Sequence, residues 1–528
     1  MSTVLMPTEH RWGELITRVL RVNGDPQNEL DVVAVLESLG WTDRQAQEQM
    51  GFTDLFDLAH DMYPNIRSEV RQEVASLQPT RSWSQRVGHF AWHVLRGMMF
   101  MLPILVSVMA MIVLHISYAS FQYFSVSQAT ALALASFLSS VVTGGFIQSM
   151  AHSVYLFLGY AEPHMAKKVA ALWMHWGMYA AVVVLAVLLL VDIPIRYMPL
   201  SLVVFMALYT FFLAALWLAF AQLYVLHREY LLVGITLVSA LCAYAIWHAG
   251  LPVEVANVAG IVLGTVVALM VASSDFARRG REGKHRLRVV RPRNSQLAYV
   301  SSAYFLYGVM YFLYLYIDRL VSWSTQFSIM PYYIWFRGQY ELGMDWSIIM
   351  LVLPVGLAEG LIYELMQEIQ YASQRAPASS AEHMAHVFRD RYARSLIPMV
   401  VISAMGVLGG QLLVRWAAGV HFLAGATPSS VIEHYVFTLS SVGYVLLGIA
   451  LYNILLMFSL GVPKPALRTM VWALAVDFGV GMVLTRAFGQ YQLAVWGLVF
   501  GSAFLLAATT RALLQMLPHI DFLMYRMV

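Results

Sequence analysis

The sequence predicts an all-α polytopic membrane protein with about 12 membrane-spanning helices in two lobes of six, preceded by a small soluble helical domain. Three observations support this fold class. Of the 528 residues, 59% are hydrophobic and only 12% are charged, whereas soluble domains carry about 25% charged residues. From Trp92 onward, apolar segments recur that are long enough to cross a bilayer, which takes about 20 helical residues. None of them alternates as the strands of a membrane barrel do.

Residues 1–85 differ from the rest of the chain and predict a cytoplasmic domain of about three short helices. Apolar residues recur there at helical spacing, with breaks at Gly40 and Gly51. Thr42 and Thr53 are each followed by acid or amide residues in the next turn, which is typical of helix N-caps. The stretch holds no catalytic constellation, and without a short apolar h-region we expect no cleaved signal peptide.

The apolar segments divide the remaining chain into two halves. Their approximate bounds are 94–117, 127–150, 170–191, 199–224, 229–248, 254–274, 298–321, 346–367, 395–416, 431–458, 467–486 and 491–513. We therefore expect a first lobe at 92–275, a basic cytoplasmic linker at 276–296, a second lobe at 297–515 and a cytoplasmic tail at 516–528. Two halves of six helices are typical of transporters built from related repeats.

Lysine and arginine residues predict the orientation of the chain. With the N-terminal domain in the cytoplasm, the inner connections hold seventeen of them and the outer connections five, as the positive-inside rule requires. Both termini are then cytoplasmic, in a bacterial-type inner membrane. Eight basic residues between Arg278 and Arg293 predict contact with anionic membrane lipids. The net charge of +3 is too small to indicate a nucleic-acid partner.

A ladder of tyrosines distinguishes the seventh segment. Tyr304, Tyr307, Tyr311 and Tyr314 are spaced by three and four residues, and the next step reaches Asp318. This spacing puts all five side chains on one helical face. The face either lines a substrate pathway or packs against neighbouring helices.

The second segment offers a further pathway candidate in its inner half. Gln148 is a hydrogen-bond donor and acceptor there, and it follows a run of small residues that includes Gly144 and Gly145. Small residues allow membrane helices to approach closely. We therefore add Gln148 to the tyrosine ladder as a candidate for the pathway.

Two acidic residues lie within predicted membrane helices and are candidates for ion coupling. Depth along the eighth and eleventh segments places Glu359 and Asp477 near the bilayer midplane. Such residues cost about 2.5–3.5 kcal/mol each on insertion scales, so we expect them to have a function. They either bind a coupling ion, H⁺ or Na⁺, or are neutralised by hydroxyl groups or an arginine.

Four charged residues are expected near the outer interface. Asp318 and Arg319 end the seventh segment, and Asp192 and Arg196 end the third. They either form an outer gate of ion pairs or act as interfacial anchors whose charged ends reach water.

Signatures of an enzyme are missing from the sequence. It contains no HExxH, GxSxG or Walker motif, and its histidines lack metal-ligand spacing. The single cysteine, Cys242, excludes an intrachain disulfide and a CxxC metal site. We expect neither catalytic activity, nor a metal site, nor a cofactor apart from a coupling ion.

Two helices carry a resemblance to a known superfamily. The second segment, SFLSSVVTGGFIQSMAHSVYLFLGY, and the seventh, YFLYGVMYFLYLYIDRLVSW, resemble the multidrug/oligosaccharidyl-lipid/polysaccharide (MOP) flippases. The Asp-basic-aromatic ending of the seventh looks most like PelG-type exopolysaccharide exporters, although the domain at 1–85 is not part of that pattern. The resemblance implies two six-helix lobes that alternate access to a central cavity.

The expected function is export of a polysaccharide or a lipid-linked saccharide, in which aromatic faces serve as platforms for sugar rings. A cytosolic glycosyltransferase is then a candidate partner, besides membrane lipids and the glycan itself. A cation-coupled drug exporter and a non-transporting scaffold or sensor that signals through residues 1–85 remain alternatives. A membrane-embedded polymerase would need a large external loop with catalytic residues, which this chain lacks.

Overall fold

The computed structural model describes residues 8–23, 26, 28–76, 83–114, 124–282, 293–375, 381–420 and 426–519. Residues 283–292 of the predicted linker and 520–528 of the predicted tail lie outside these ranges. The chain forms two compact units, one of Met1–His89 with Met366–Phe388 and one of Phe90–Leu365 with Arg389–Val528. The first unit contains the predicted N-terminal domain, and the second contains the membrane helices.

Four helices build the N-terminal part of the first unit: α1 (Thr8–Val22), α2 (Glu29–Ser38), the short α3 (Asp43–Gln45) and α4 (Leu55–Ser76). They enclose a hydrophobic core of their own that includes Val19, Leu36, Leu58 and Ile66. The domain therefore has an independent apolar interior.

Turn chemistry fixes the helix ends in this domain. Thr42 is the predicted N-cap of α3, in a capping box with Gln45. Asp54 takes the place predicted for Thr53, since its Oδ1 accepts the Asp57 N–H at 2.8 Å. Gly40 and Gly51 interrupt the helices with φ angles of 83° and 80°, which residues with a Cβ rarely adopt.

The first lobe consists of six helices among the described residues. They are α5 (Trp83–Leu114), α6 (Val126–Gly159), α7 (Pro163–Ile195), α8 (Leu200–Val225), α9 (Glu229–His248) and α10 (Val253–Glu282). The central helix α6 packs against α7 and α8, and α10 packs against α8 and α9.

The second lobe consists of seven helices in six spans. They are α11 (Asn294–Trp323), α12 (Gly338–Ser347), α13 (Val352–Arg375), α14 (Ala381–Gly419), α15 (Val431–Ser459), α16 (Pro463–Phe488) and α17 (Val495–Met516). Helices α12 and α13 form one span that is interrupted by a 3₁₀ turn at Ile348–Leu351. Pro354 follows this turn, and its ring and missing N–H are incompatible with the preceding helical hydrogen bonding.

The predicted fold class is confirmed. Eleven helices or helix pairs among the described residues, from Val126–Gly159 onward, are long and apolar enough to cross a membrane. Helix α5 occupies the first predicted segment. We call the end of the bundle that carries the α11–α12 connection the outer end, following the orientation predicted from lysine and arginine.

Candidate functional site

A cluster of charged residues lies inside the second lobe at the outer part of α11. Arg319 Nε donates to Glu341 Oε2 at 2.9 Å, and its Nη2 lies 3.9 Å from Asp345 Oδ1. The indole of Trp323 donates to the other oxygen of Glu341 at 2.8 Å. Residues 341 and 345 are one helical turn apart on α12, so both carboxylates face the same guanidinium.

The cluster continues inward to two carboxyl groups that are fully buried. The Tyr340 hydroxyl donates to Asp318 Oδ2 at 2.8 Å, while Oδ1 of Asp318 has no hydrogen-bond partner among the described residues. Asp477 on α16 is 0% exposed, and neither of its carboxyl oxygens has a partner there. A Cβ on Gly501 would meet both the Asp477 Cβ and the hydroxyl of Tyr314, which lies one helical turn before Asp318 on α11. We call Asp318, Arg319, Glu341, Asp345 and Asp477 the acidic cluster.

Two glycines on α17 let the backbone pack directly against Asp477. A Cβ on Gly497 would lie 2.5 Å from the Asp477 carbonyl oxygen, and one on Gly501 would lie 2.9 Å from the Asp477 Cβ. Both separations are too short for non-bonded atoms, so glycine is required at this approach. The Tyr314 hydroxyl lies beside them and shares a hydrogen bond of 2.7 Å with Ser502.

The charges of the acidic cluster do not balance. It contains four carboxyl groups, and Arg319 supplies its positive charge. An unpaired ionised carboxylate in a low-dielectric interior costs several kcal/mol, so Asp477 favours a bound proton or another cation. Among the described residues, no group of three or more His, Cys, Asp or Glu is arranged to hold a metal ion.

The tyrosine ladder divides between two environments. Tyr304 stacks on His152 of α6 with ring centroids 4.0 Å apart, and it also contacts Phe458 of α15. The Tyr307 ring meets Phe458 edge-on at 4.9 Å and is nearly parallel to the Tyr311 ring at 6.0 Å. Tyr304 therefore lies where α11 of the second lobe meets α6 of the first, and Tyr307 lies beside α15. Tyr314, by contrast, points into the second lobe beside Asp477.

Helices α6 and α11 form a close seam between the two lobes. Ser153 and Ser301 hydroxyls lie 3.0 Å apart near one end, and the Phe137 and Tyr316 rings make an edge contact near the other. A Cβ on Gly308 would lie 2.8 Å from the Gln148 Cγ. The predicted pathway residue Gln148 is therefore in this seam, together with the inner part of the ladder.

A second interlobe contact joins α5 to α13. A Cβ on Gly97 would lie 2.8 Å from the Glu359 Cβ and 2.9 Å from the Gly356 Cα. His93 and Tyr363 stack with centroids 3.7 Å apart one turn further along. The two helices thus pack through glycines at their crossing.

Glu359 lies beside charged residues of the first lobe. Arg96 hydrogen-bonds to His227 and lies 3.4 Å from Glu229, and the next residue, Gly97, packs against Glu359. The span that contains Glu359 begins at Gly338, at the outer end of the bundle. Glu359 is therefore about 30 Å from that end, which is nearer to the inner end than the sequence predicts.

The four residues of the predicted outer gate are in separate places. Asp318 and Arg319 belong to the acidic cluster, where both are buried. Asp192 is buried near the end of α7, whereas Arg196 is exposed at the C-cap of that helix with a φ of 50°. Among the described residues, no ion pair joins Asp192 or Arg196 to Asp318 or Arg319.

Sequence reasoning missed Glu341, Asp345 and Arg96 as site residues. Glu341 and Asp345 lie between the seventh and eighth predicted segments, in an external connection. Their spacing of four residues is nevertheless typical of one face of a helix. Arg96 was passed over because it begins a membrane segment, where basic residues are common.

Comparisons with known proteins support the fold. No family model matches the chain, and no curated protein matches it. Solved structures do: the Vibrio cholerae MATE transporter VcmN in its bent form has a TM-score of 0.53 at 14% identity, over 83% of this chain and 99% of that one. A MOP superfamily transporter from Pyrococcus furiosus has a TM-score of 0.51 at 13% identity, over 83% of this chain and 96% of that one. An outward-facing multidrug resistance MATE transporter of the MOP superfamily has a TM-score of 0.51 at 13% identity, over 83% of this chain and 97% of that one. These superpositions show a shared fold, and at identities of 13–14% they show the fold alone.

Proposed function

We propose that this protein is an alternating-access exporter of the MOP type that moves a polysaccharide or a lipid-linked saccharide outward across an inner membrane. The observation that carries the proposal is the position of the aromatic stack. Tyr304 stacks on His152 of α6 at the seam between the lobes, and Tyr307 and Tyr311 continue the same face of α11 beside Phe458 of α15. If the lobes separate at their inner ends, these rings become exposed to the opening, where they are suited to stack on sugar rings. PelG-type export is the most specific form of this proposal.

The acidic cluster supports coupling to a proton. Asp477 is buried, and neither of its carboxyl oxygens has a hydrogen-bond partner among the described residues, so its ionised form is costly. Binding of a proton removes that cost, whereas its release makes a more hydrated conformation favourable. A cycle of binding and release can therefore bias the lobe equilibrium. Glu359, at the contact between α5 and α13, is better placed to hold the inner ends together than to bind the coupling ion.

A saccharide transport assay tests the stack directly. In proteoliposomes, a fluorescent lipid-linked oligosaccharide is offered under an imposed pH gradient. Tyr311→Ala should lower its rate of translocation about tenfold or more, since one stacked ring is worth roughly 1–3 kcal/mol on a comparable aromatic platform. Tyr299→Ala is the control, because Tyr299 is on the same helix and 82% exposed. Equal rates for the two variants would remove the stack from the pathway.

A cation-coupled drug exporter is the second candidate, and the excess of carboxyl groups in the acidic cluster favours it. A small lipophilic cation would be attracted to unpaired acidic groups, whereas a neutral glycan would not. Transport of ethidium by the same proteoliposomes, with no translocation of the oligosaccharide, would decide for this alternative.

A further inference from the structure

Residues 324–337, which we call the outer strap, connect α11 to α12 at the outer end of the bundle. The segment has the sequence STQFSIMPYYIWFR and includes a 3₁₀ turn at Phe327–Ile329. Its backbone is tied to the end of α11, since Trp335 N–H donates to the Trp323 carbonyl at 3.0 Å. The strap is thus a folded element with internal hydrogen bonds.

A hydrogen bond and apolar packing attach the outer strap to the first lobe. Phe336 N–H donates to the Thr130 hydroxyl of α6 at 3.1 Å. Tyr332, Ile334 and Phe336 are half-buried against a hydrophobic cluster whose other members come mostly from the first lobe. Thr130 itself is 0% exposed, so this attachment is shielded from water.

The outer strap is attached to the second lobe by several polar contacts. Gln326 donates to the Gly489 carbonyl at 2.7 Å, and Arg486 donates to the Ser324 hydroxyl at 2.9 Å. The Arg337 guanidinium lies 4.9 Å from the centre of the Tyr491 ring. These partners lie at the end of α16 and directly after it.

We propose that the outer strap is a latch that holds the outer ends of the two lobes together and is released from the first lobe when the protein opens outward. The strap is continuous with α11 and α12 and has more polar contacts with the second lobe, so it stays with that lobe. Its attachment to the first lobe at Thr130 is the part that breaks. This inference rests on the proposed alternating-access function.

Three exposed positions allow the motion to be measured with pairs of spin labels. Leu200 marks the outer end of the first lobe, Phe488 that of the second, and Ile329 the strap, with exposed fractions of 64%, 67% and 72%. Each is changed to cysteine in pairs in the full-length chain with Cys242→Ser, reconstituted into liposomes. Pulsed electron-electron resonance at pH 5 and pH 8 then gives three distance distributions.

A matched pair of variants tests the attachment itself. Thr130→Val removes the oxygen that accepts from the strap. Thr143→Val on the same helix is the control, because both hydroxyls donate to a carbonyl four residues earlier and Thr143 is also 0% exposed. The latch predicts that Thr130→Val raises the ratio of long to short distances for the 200–488 and 200–329 pairs about fivefold, as expected for loss of one hydrogen bond. The 329–488 distance should be unchanged.

Three outcomes would overturn the latch. The first is equal distributions in Thr130→Val and Thr143→Val, and the second is a 329–488 distance that lengthens with the lobes. The third is a lengthened 200–329 distance without any change at 200–488, which would describe a loose loop. If the 200–488 pair shows one distance in every variant and at both pH values, the proposed alternating access fails as well.

Discussion

Replacement of Arg319 should destabilise the protein more than that of any exposed arginine. The Arg319→Met variant keeps an unbranched apolar chain but removes the positive charge that faces Glu341 and Asp345. It also removes the hydrogen bond from Nη1 to the Leu315 carbonyl at 2.9 Å. Because loss of one partner of a buried ion pair leaves an uncompensated charge, we expect a loss of about 3–5 kcal/mol in the free energy of unfolding.

Unfolding in mixed detergent micelles with increasing SDS measures this change. Arg415→Met is the matched control, since Arg415 is exposed on α14 and a surface charge contributes about 0–1 kcal/mol. The double variant Arg319→Met with Glu341→Gln should regain about 1–3 kcal/mol relative to Arg319→Met, because the amide no longer leaves a charge unpaired. A loss below 1 kcal/mol for Arg319→Met, or no recovery in the double variant, would refute the assignment of Arg319 as the charge that holds the cluster.

Two further variants test the coupling site and the seam. Asp477→Asn should abolish proton flux driven by a saccharide gradient in proteoliposomes, because the amide cannot bind and release a proton. Glu359→Gln should keep that flux. The reverse pattern would assign coupling to Glu359. Gly144→Ala should destabilise the protein by about 1–3 kcal/mol in SDS unfolding, since its Cβ would lie 2.8 Å from the Gly308 carbonyl oxygen. Gly234→Ala, where a Cβ meets open space, should be neutral or stabilising, and equal effects would contradict the close seam.

Membrane helices were predictable because their signal is local. A run of apolar residues has to form a helix in lipid, since every backbone polar group must be paired within the segment. The bounds were less predictable, as α6 and α7 show, because they extend several residues beyond the apolar runs into Gly159 and Pro163. The α6 extension, AHSVYLFLG, is still largely apolar, and α7 begins with Pro163 at its first helical position.

The acidic cluster was only partly predictable. Asp477 was found because a carboxyl group in an apolar helix is conspicuous. Glu341 and Asp345 were not, since the helix α12 starts in a segment rich in aromatic residues and glycine. Their partnership with Arg319 brings together two stretches separated by the strap, and sequence periodicity carries no information on such pairs.

The sequence by itself determined that this is an all-α membrane protein with two sets of six spans, because hydropathy and helical spacing act within each segment. Only the tertiary structure decided which side of each helix faces which neighbour. It divided the tyrosine ladder, with Tyr304 at the seam and Tyr314 beside Asp477, although both share one helical face in the sequence. The reason is physical: a face about 100° wide contacts different helices at different heights, and the glycines at α17 and α6 determine how closely each neighbour approaches.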